Sequence, residues 1–275
     1  MLKTFIFFFT LLSSVIFECV YSKHDFQKVF YIALRQQNLD VLKNHFDNVS
    51  NFYSPSYSQY LSSSYINSIV SPDKSKTNNL VNWLNSNNIK IIHNYGDSLI
   101  CEGNIKDIDR AFDTRFEIKK TKNIYYTLNN YNYKIPENFT NIIDFIEGLT
   151  TKPFFKRKYI VKSPKNTVDN RYSGREVLER LYNISNTNYT NTSSLCSVEY
   201  QNNEGFSIED LYLSEEINNV PKNEVKHIEG QNIGTDIESQ LDIQTMGMLT
   251  VNSDLWFWTV EEWLYSFAIQ LFNSK

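Results

Sequence analysis

The sequence is poor in cysteine, glycine and proline, with three, eight and six residues of each type among 275. Cys19 lies at the end of an N-terminal apolar run, so removal of that run would leave only Cys101 and Cys196. Two cysteines are too few for a disulfide framework of the kind that holds small secreted domains together. A bond between these two is compatible with the sequence, but nothing in it favours one.

Positive charge is not in excess either, because the formal net charge is -4 and the sequence pI is about 5.7. A chain without a basic surface is a poor candidate for binding nucleic acid. The sequence has no glycine-rich phosphate-binding loop. Its four histidines lie far apart without metal-ligand spacing: His24, His45, His93 and His227. No cofactor is therefore expected in this chain.

Hydrophobic and aromatic residues are abundant, at 41% and 15% of the chain. Such a composition supports packed cores, and the length suits one large domain or two ordinary ones.

The N-terminus has the features of a secretory signal peptide over residues 1–22. Lys3 precedes an apolar run from Phe5 to Phe17, and Val20-Tyr21-Ser22 provides an acceptable cleavage site. A membrane anchor is the alternative interpretation, but the run is shorter than the roughly 20 residues that a spanning helix needs. We therefore expect entry into the secretory pathway, no stable membrane span after signal removal, and a lysosomal or extracellular location.

Residues 23–150 alternate between strand-like and helix-like patterns. Strand character at Val29 to Leu34 is followed by helical spacing, which returns at Tyr57 and continues up to Pro72. Two short β-rich runs then flank the turn residues Asn94 to Asp97. Asn104 is placed to cap a further helix, and residues 117–128 return to strand character. This order predicts a compact α+β domain with an antiparallel sheet.

A basic, proline-containing segment over residues 151–170 follows this domain and is predicted to be an exposed linker. Its cluster Lys156, Arg157 and Lys158 is a candidate proteolytic processing site. A linker that is simply solvated explains the same charges equally well.

Residues 171–275 are predicted to form a second, α/β unit. A short helix covers Val177 to Asn183, and strand and helix patterns alternate from Phe206 to the C-terminus. Five sequons are candidate N-glycosylation sites: Asn48, Asn138, Asn183, Asn188 and Asn191. A sequence so rich in Asn, Ser and Thr also produces sequons by chance.

The segment from Gly234 to Gln244 places two carboxylates, Glu238 and Asp242, four residues apart. On a helix this spacing puts both on one face, where their mutual repulsion would raise one pKa. Such a pair can accept a serine proton in acid, where a histidine base would already be protonated. The competing explanation is structural, since Thr235 and Glu238 also fit a helix capping box.

Several segments in chain order resemble the sedolisin family of serine-carboxyl peptidases. They are Phe30 to Asp40, Ser54-Pro55-Ser56-Tyr57, Tyr60-Leu61, Val70-Ser71-Pro72, Val81-Asn82-Trp83-Leu84, Val177 to Asn183 and the Glu238-x-x-x-Asp242 segment. The resemblance implies a signal peptide (1–22), an activation domain (23–150), a linker (151–170) and the N-terminal part of a catalytic domain (171–275). The implied fold class is an α+β activation domain with an antiparallel sheet, followed by an incomplete subtilisin-like α/β domain.

The same resemblance implies that Glu238 is the general base and that Asp242 supports it. The family's nucleophile lies in a Gly-Thr-Ser loop that this sequence does not contain, since Asp236 follows Gly234-Thr235. We therefore expect the precursor of an acid-acting, tripeptidyl-peptidase-like enzyme, truncated and inactive as given. A peptide or protein would be the substrate of the complete enzyme, and calcium would bind to the full-length domain.

A second hypothesis assigns this chain to a different class of function, that of a binding protein. A secreted, non-catalytic protein could use residues 23–150 to inhibit or chaperone a related peptidase.

Overall fold

The computed structural model describes residues 26–121, 124–129, 131–150, 174–184, 193–200, 205–233, 235–260 and 262–274. The chain divides into two compact units, residues 1–154 and 155–275. No helix among the described residues is both long and apolar enough to cross a membrane.

The described part of the first unit contains four helices and six strands. In chain order they are β1 (Gln27–Leu34), α1 (Leu39–Ser50), α2 (Ser63–Val70), α3 (Lys74–Ser86), β2 (Lys90–Asn94), β3 (Ser98–Asn104), α4 (Ile105–Ala111), β4 (Glu117–Thr121), β5 (Ile124–Leu128) and β6 (Ile143–Glu147). A short 3₁₀ helix, Glu137–Phe139, precedes β6. The four-stranded sheet has the order β2-β3-β1-β6, and all its neighbours are antiparallel. The predicted α+β fold with an antiparallel sheet is confirmed for this unit.

Side chains on one face of β1 form part of the core of the first unit. Phe30, Ile32 and Leu34 are on one face of the strand and are buried against residues of α3 and α4. Phe112, directly after α4, is fully buried and its ring meets Phe30 edge to face, with ring centroids 5.7 Å apart. The face of the sheet that carries the core is therefore closed by helices.

Two local predictions for the first unit need correction. Helical spacing from Tyr57 onwards suggested one helix up to Pro72, but α2 starts only at Ser63 because the preceding residues form hydrogen-bonded turns. Residues 117–128, predicted as one strand, form two antiparallel strands, β4 and β5.

Among the residues that the structure describes in the second unit are four helices and three strands: α5 (Arg175–Tyr182), β7 (Ser194–Tyr200), α6 (Ile208–Ile217), β8 (Val225–Glu229), α7 (Ile237–Leu249), β9 (Asp254–Val260) and α8 (Leu264–Asn273). The strands form a parallel sheet with the order β7-β9-β8. Parallel strands require crossover connections, and α6 and α7 supply them.

Helices cover both faces of the parallel sheet. Phe257 in β9 packs with Leu211 of α6 and Ile243 of α7 on one face. On the other face, Trp258 meets Phe267 of α8 edge to face, and its indole N–H donates to Gln270 at 3.3 Å. This arrangement is an α/β unit, as the sequence predicted.

Candidate active site

The helix α7, which carries both predicted catalytic carboxylates, is preceded by the N-cap residue Asp236. This N-cap residue accepts a hydrogen bond at its side chain from the backbone N–H of Glu238, over 2.9 Å. The capping-box alternative is therefore wrong, because Asp236 rather than Thr235 is the cap and Glu238 is only the second helical residue. The start of the helix is capped without the Glu238 carboxylate.

Glu238 and Asp242 are on the exposed face of α7, and the residues next to them, Ser239 and Ile243, are fully buried. The four-residue spacing on a continuous helix makes the two carboxylates neighbours, as predicted. One side of the helix thus anchors it to the sheet while the other presents carboxylates to solvent.

The pKa of Asp242 is raised above its usual value. Its cause is the loss of hydration by partial burial, and not the repulsion from Glu238 that the sequence suggested. A raised pKa means that Asp242 keeps its proton to a higher pH than a fully solvated aspartate.

The position of this pair in the fold is that of a ligand site in an open α/β sheet. β8 ends at Glu229 and the chain then enters α7, so the first turns of α7 are at the carboxyl ends of the strands. Ligands of such sheets bind at this edge. Glu238 and Asp242 are therefore placed where a substrate could reach them.

Two buried carboxylates near this helix were missed by the sequence analysis. Glu199, close to the carboxyl end of β7, is 3% exposed and accepts from the Ser197 hydroxyl at 2.7 Å. Glu215 in α6 is fully buried, and both its oxygens accept from the Asn223 backbone N–H at 3.2 Å. In the sequence, each of these residues is a glutamate within a β-rich or helical segment. Such a pattern does not show whether the side chain is buried or exposed.

Burial raises the pKa of Glu215, although the Asn223 hydrogen bond and the charge of Lys222 act in the opposite direction. Glu215 is therefore a carboxyl group that readily holds a proton in acid.

The hydroxyl of Ser239 has no hydrogen-bond partner among the described residues, although the side chain is completely buried in α7. Buried hydroxyls are normally paired, so the turn that carries Glu238 includes an unsatisfied polar group.

Both remaining cysteines are free thiols, Cys101 buried and Cys196 exposed. Burial raises the pKa of the Cys101 thiol to about 12, so it stays protonated and unreactive. Over the described residues, no group of three or more His, Cys, Asp or Glu side chains could hold a metal ion.

Three of the predicted glycosylation sites, Asn48, Asn138 and Asn183, are exposed. Asn48 lies in the last turn of α1 rather than in a loop, and Asn183 ends α5 in a left-handed conformation. Asn188 and Asn191 lie outside the described residues, as do the signal peptide and the candidate processing residues Lys156, Arg157 and Lys158.

Comparison with known proteins connects this geometry with a family. Residues 23–152 match the family model of the pro-kumamolisin activation domain. The chain is 28% identical to physarolisin of Physarum polycephalum, a sedolisin-family peptidase, over 249 residues. These residues cover 88% of this chain and 43% of physarolisin, so the chain spans less than half the length of this curated relative. Residues 23–152 are therefore similar to the pro-kumamolisin activation domain, and the chain is similar over most of its length to a sedolisin-family peptidase.

Proposed function

We propose that the chain is the N-terminal part of a precursor of an acid-acting serine-carboxyl peptidase, with Glu238 as its general base and Asp242 as the supporting carboxylate. The observation that carries this proposal is the exposed pair of carboxylates on α7, at the carboxyl edge of a parallel sheet. The matched activation domain precedes the pair in the chain. The residues after 170 would then be the start of a subtilisin-like catalytic domain.

Acid conditions explain why a carboxylate would take the place of a histidine base. A serine hydroxyl must lose its proton as it attacks a peptide carbonyl, and a base can accept that proton only if it is ionised. Glu238 is exposed on α7, where a serine hydroxyl of the complete enzyme could reach it. Asp242, with its raised pKa, would keep a proton and donate a hydrogen bond to the Glu238 carboxylate.

The nucleophile of this mechanism would come from a Gly-Thr-Ser loop, a motif that the present sequence lacks. Without a nucleophile and an oxyanion hole, acyl transfer has neither its attacking atom nor its main electrostatic stabilisation. We therefore propose that these 275 residues have no peptidase activity on their own.

An activation domain packs on a peptidase catalytic domain, so the first unit would act as the inhibitory pro-segment of the precursor. Processing at Lys156, Arg157 and Lys158 would separate the two parts. Tripeptidyl-peptidase-like specificity and a lysosomal or extracellular location complete the proposal by family analogy. Calcium is proposed only for the full-length domain, because the described residues form no cluster of metal-ligating side chains.

The proposal is tested by sequencing independent transcripts beyond the Lys275 codon. An open frame that encodes a Gly-Thr-Ser loop is the expected result. The encoded precursor should then become an acid peptidase after incubation in acid, and E238Q should abolish its activity. D242N should lower kcat and change its pH profile. A fully active E238Q variant would remove Glu238 from the mechanism.

The inhibitor hypothesis has a specific observation in its favour, since the first unit has a compact core of its own. Purified residues 23–150 should then slow an acid tripeptidyl peptidase in a concentration-dependent way. No change in the rate of that enzyme, together with a genuine stop codon in every transcript, would contradict both forms of the proposal.

A further inference from the structure

The loop between α1 and α2 carries a group of exposed aromatic rings, here called the aromatic patch: Phe52, Tyr53, Tyr57 and Tyr60. Their exposed fractions are 73%, 91%, 46% and 78%. The Phe52 ring is 5.5 Å from Tyr53 and 5.4 Å from Tyr57, centroid to centroid, in edge-to-face contacts. Phe52 therefore contacts two other rings of the patch, Tyr53 and Tyr57.

Hydrogen bonds hold the backbone of this loop in a defined shape. The Tyr57 N–H donates to the Ser54 carbonyl at 3.0 Å, and the Ser54 N–H donates to the Asn51 carbonyl at 2.9 Å. Ser58 N–H donates to the Val49 carbonyl at 2.9 Å, which folds the loop back onto the last turn of α1. The fold thus presents these rings to solvent in a fixed arrangement.

No charged side chain protects the aromatic patch within its own segment. Residues 48–72 contain no Asp, Glu, Lys, Arg or His, in a chain where charged residues make up 21%. Exposed apolar patches without charges promote self-association unless something covers them. The aromatic patch is therefore a surface whose burial would be favourable.

The sequon Asn48-Val49-Ser50 ends two residues before Phe52, the first ring of the aromatic patch. Asn48 is exposed in the last turn of α1, and the following residue, Val49, accepts the hydrogen bond that closes the loop. The Asn48 amide nitrogen donates to the Asn44 backbone carbonyl at 2.8 Å and to the Asn44 side-chain oxygen at 3.4 Å. Because an amide nitrogen carries two hydrogens, replacement of one by a sugar leaves one hydrogen for the shorter of these two bonds.

We propose that Asn48 carries an N-linked glycan whose first sugars cover the aromatic patch. Transfer would form a bond between Asn48 Nδ2 and the anomeric carbon of N-acetylglucosamine from a lipid-linked oligosaccharide. The amide loses one proton, and the lipid diphosphate departs as the leaving group. The C–H face of a pyranose ring then packs on the aromatic rings and removes apolar surface from water. This inference rests on the proposed passage through the secretory pathway.

Asn138 offers an internal comparison because it is an exposed sequon away from the aromatic patch, in the 3₁₀ helix before β6. A glycan at Asn138 would report that the chain has met the glycosylation machinery. It should not change the solvent accessibility of the patch.

The test expresses the full chain in eukaryotic cells that make only high-mannose glycans. Mass spectrometry would locate the glycans, and hydroxyl-radical footprinting would measure the labelling of Phe52, Tyr53 and Tyr57. Four samples are compared: the intact glycoprotein, protein trimmed to the first N-acetylglucosamine by endoglycosidase H, protein fully deglycosylated by PNGase F, and the S50A variant. Tyr131, 46% exposed and outside the patch, is the labelling control.

The expected result is a glycan on Asn48 and a severalfold rise in labelling of the aromatic patch in S50A and after PNGase F, with Tyr131 unchanged. The trimmed protein should keep most of the protection, because its first sugar remains. N48Q should behave like S50A, whereas N138Q should leave the labelling of the patch unchanged.

Two results would overturn the inference alone: an unmodified Asn48 in a chain glycosylated at Asn138, or a modified Asn48 with unchanged labelling after deglycosylation. A chain without any glycan would overturn it too, and would also count against the proposed secretory route.

Discussion

Gly247 in α7 lies directly against the carboxylate of Glu215 in α6. A Cβ atom at position 247 would come 3.0 Å from Glu215 Oε1 and 3.1 Å from Leu211 Cδ1. The absence of a side chain at 247 thus allows the two crossover helices to approach while a buried carboxylate lies between them. This contact joins two residues 32 positions apart, and each appeared in the sequence as an ordinary helical residue.

The first prediction concerns Gly247→Ala. Alanine favours the helix by about 1 kcal/mol, but crowding in a packed interior costs about 1–3 kcal/mol. We expect a net loss, because the new methyl pushes Glu215 away from the Asn223 N–H, its backbone donor. Hydrogen-exchange mass spectrometry of peptides from α6 and α7 should show faster exchange. Thr245→Ala, at a partly exposed position of the same helix, is the control, and slower exchange in Gly247→Ala would refute the crowding argument.

The second prediction is a pH dependence of the second unit. Glu215 has its pKa raised above 4.5 in the folded chain by burial, so folding favours the protonated form. The stability gained from protonation is fully present below the unfolded pKa, near 4.5, and is lost as the pH rises through the folded value. Protection from exchange in α6 and β8, measured relative to the intrinsic exchange rate at each pH, should therefore decrease as the pH rises above about 4.5.

Glu215→Gln is the matched variant because it keeps the shape of the side chain without a titrating proton. This variant should weaken the pH dependence of hydrogen exchange in α6 and β8. The raised pKa of Asp242 acts in the same direction, so D242N serves as a second control. An unchanged profile in Glu215→Gln would show that Glu215 does not titrate in this range.

The third prediction tests the core of the first unit. Phe112 is fully buried, with its ring 5.7 Å from Phe30 and 5.6 Å from Trp83, centroid to centroid. Phe112→Ala should lower the free energy of unfolding by about 3–5 kcal/mol, through lost burial and a cavity. Urea unfolding, followed through the hydrogen exchange of peptides from β1 and β3, would measure this loss of stability. Phe52→Ala, at an exposed ring, should stay within about 0.5 kcal/mol.

The sequence predicted the elements that are determined by interactions between residues close together in the chain. Asn104 was predicted as the cap of a helix, and in the structure its side chain accepts from the Lys106 N–H at 3.0 Å. The hairpin of β2 and β3 followed from two β-rich runs around turn residues. In these cases the residues that determine the structure are within a few positions of one another.

The errors arose where a regular spacing competes with specific hydrogen bonds. Tyr57 fits a helical period, yet its N–H bonds to Ser54 and forms part of a turn. The burial of Glu199 and Glu215 could not be predicted, because it depends on how distant segments pack around each carboxylate. The placement of Glu238 and Asp242 on one helix could be predicted because their spacing is local. The raised pKa of Asp242 comes from partial burial, which the spacing does not reveal.

The last prediction separates the helix cap from the proposed base. Asp236 accepts the Glu238 N–H and so stabilises the first turn of α7. Asp236→Ala should cost about 1 kcal/mol of stability and increase exchange at the start of this helix. Glu238→Gln should leave exchange there unchanged, since the Glu238 side chain is exposed and the cap is supplied by Asp236. The opposite pattern would assign Glu238 a structural role in the helix start, and the acid-base role would lose its structural support.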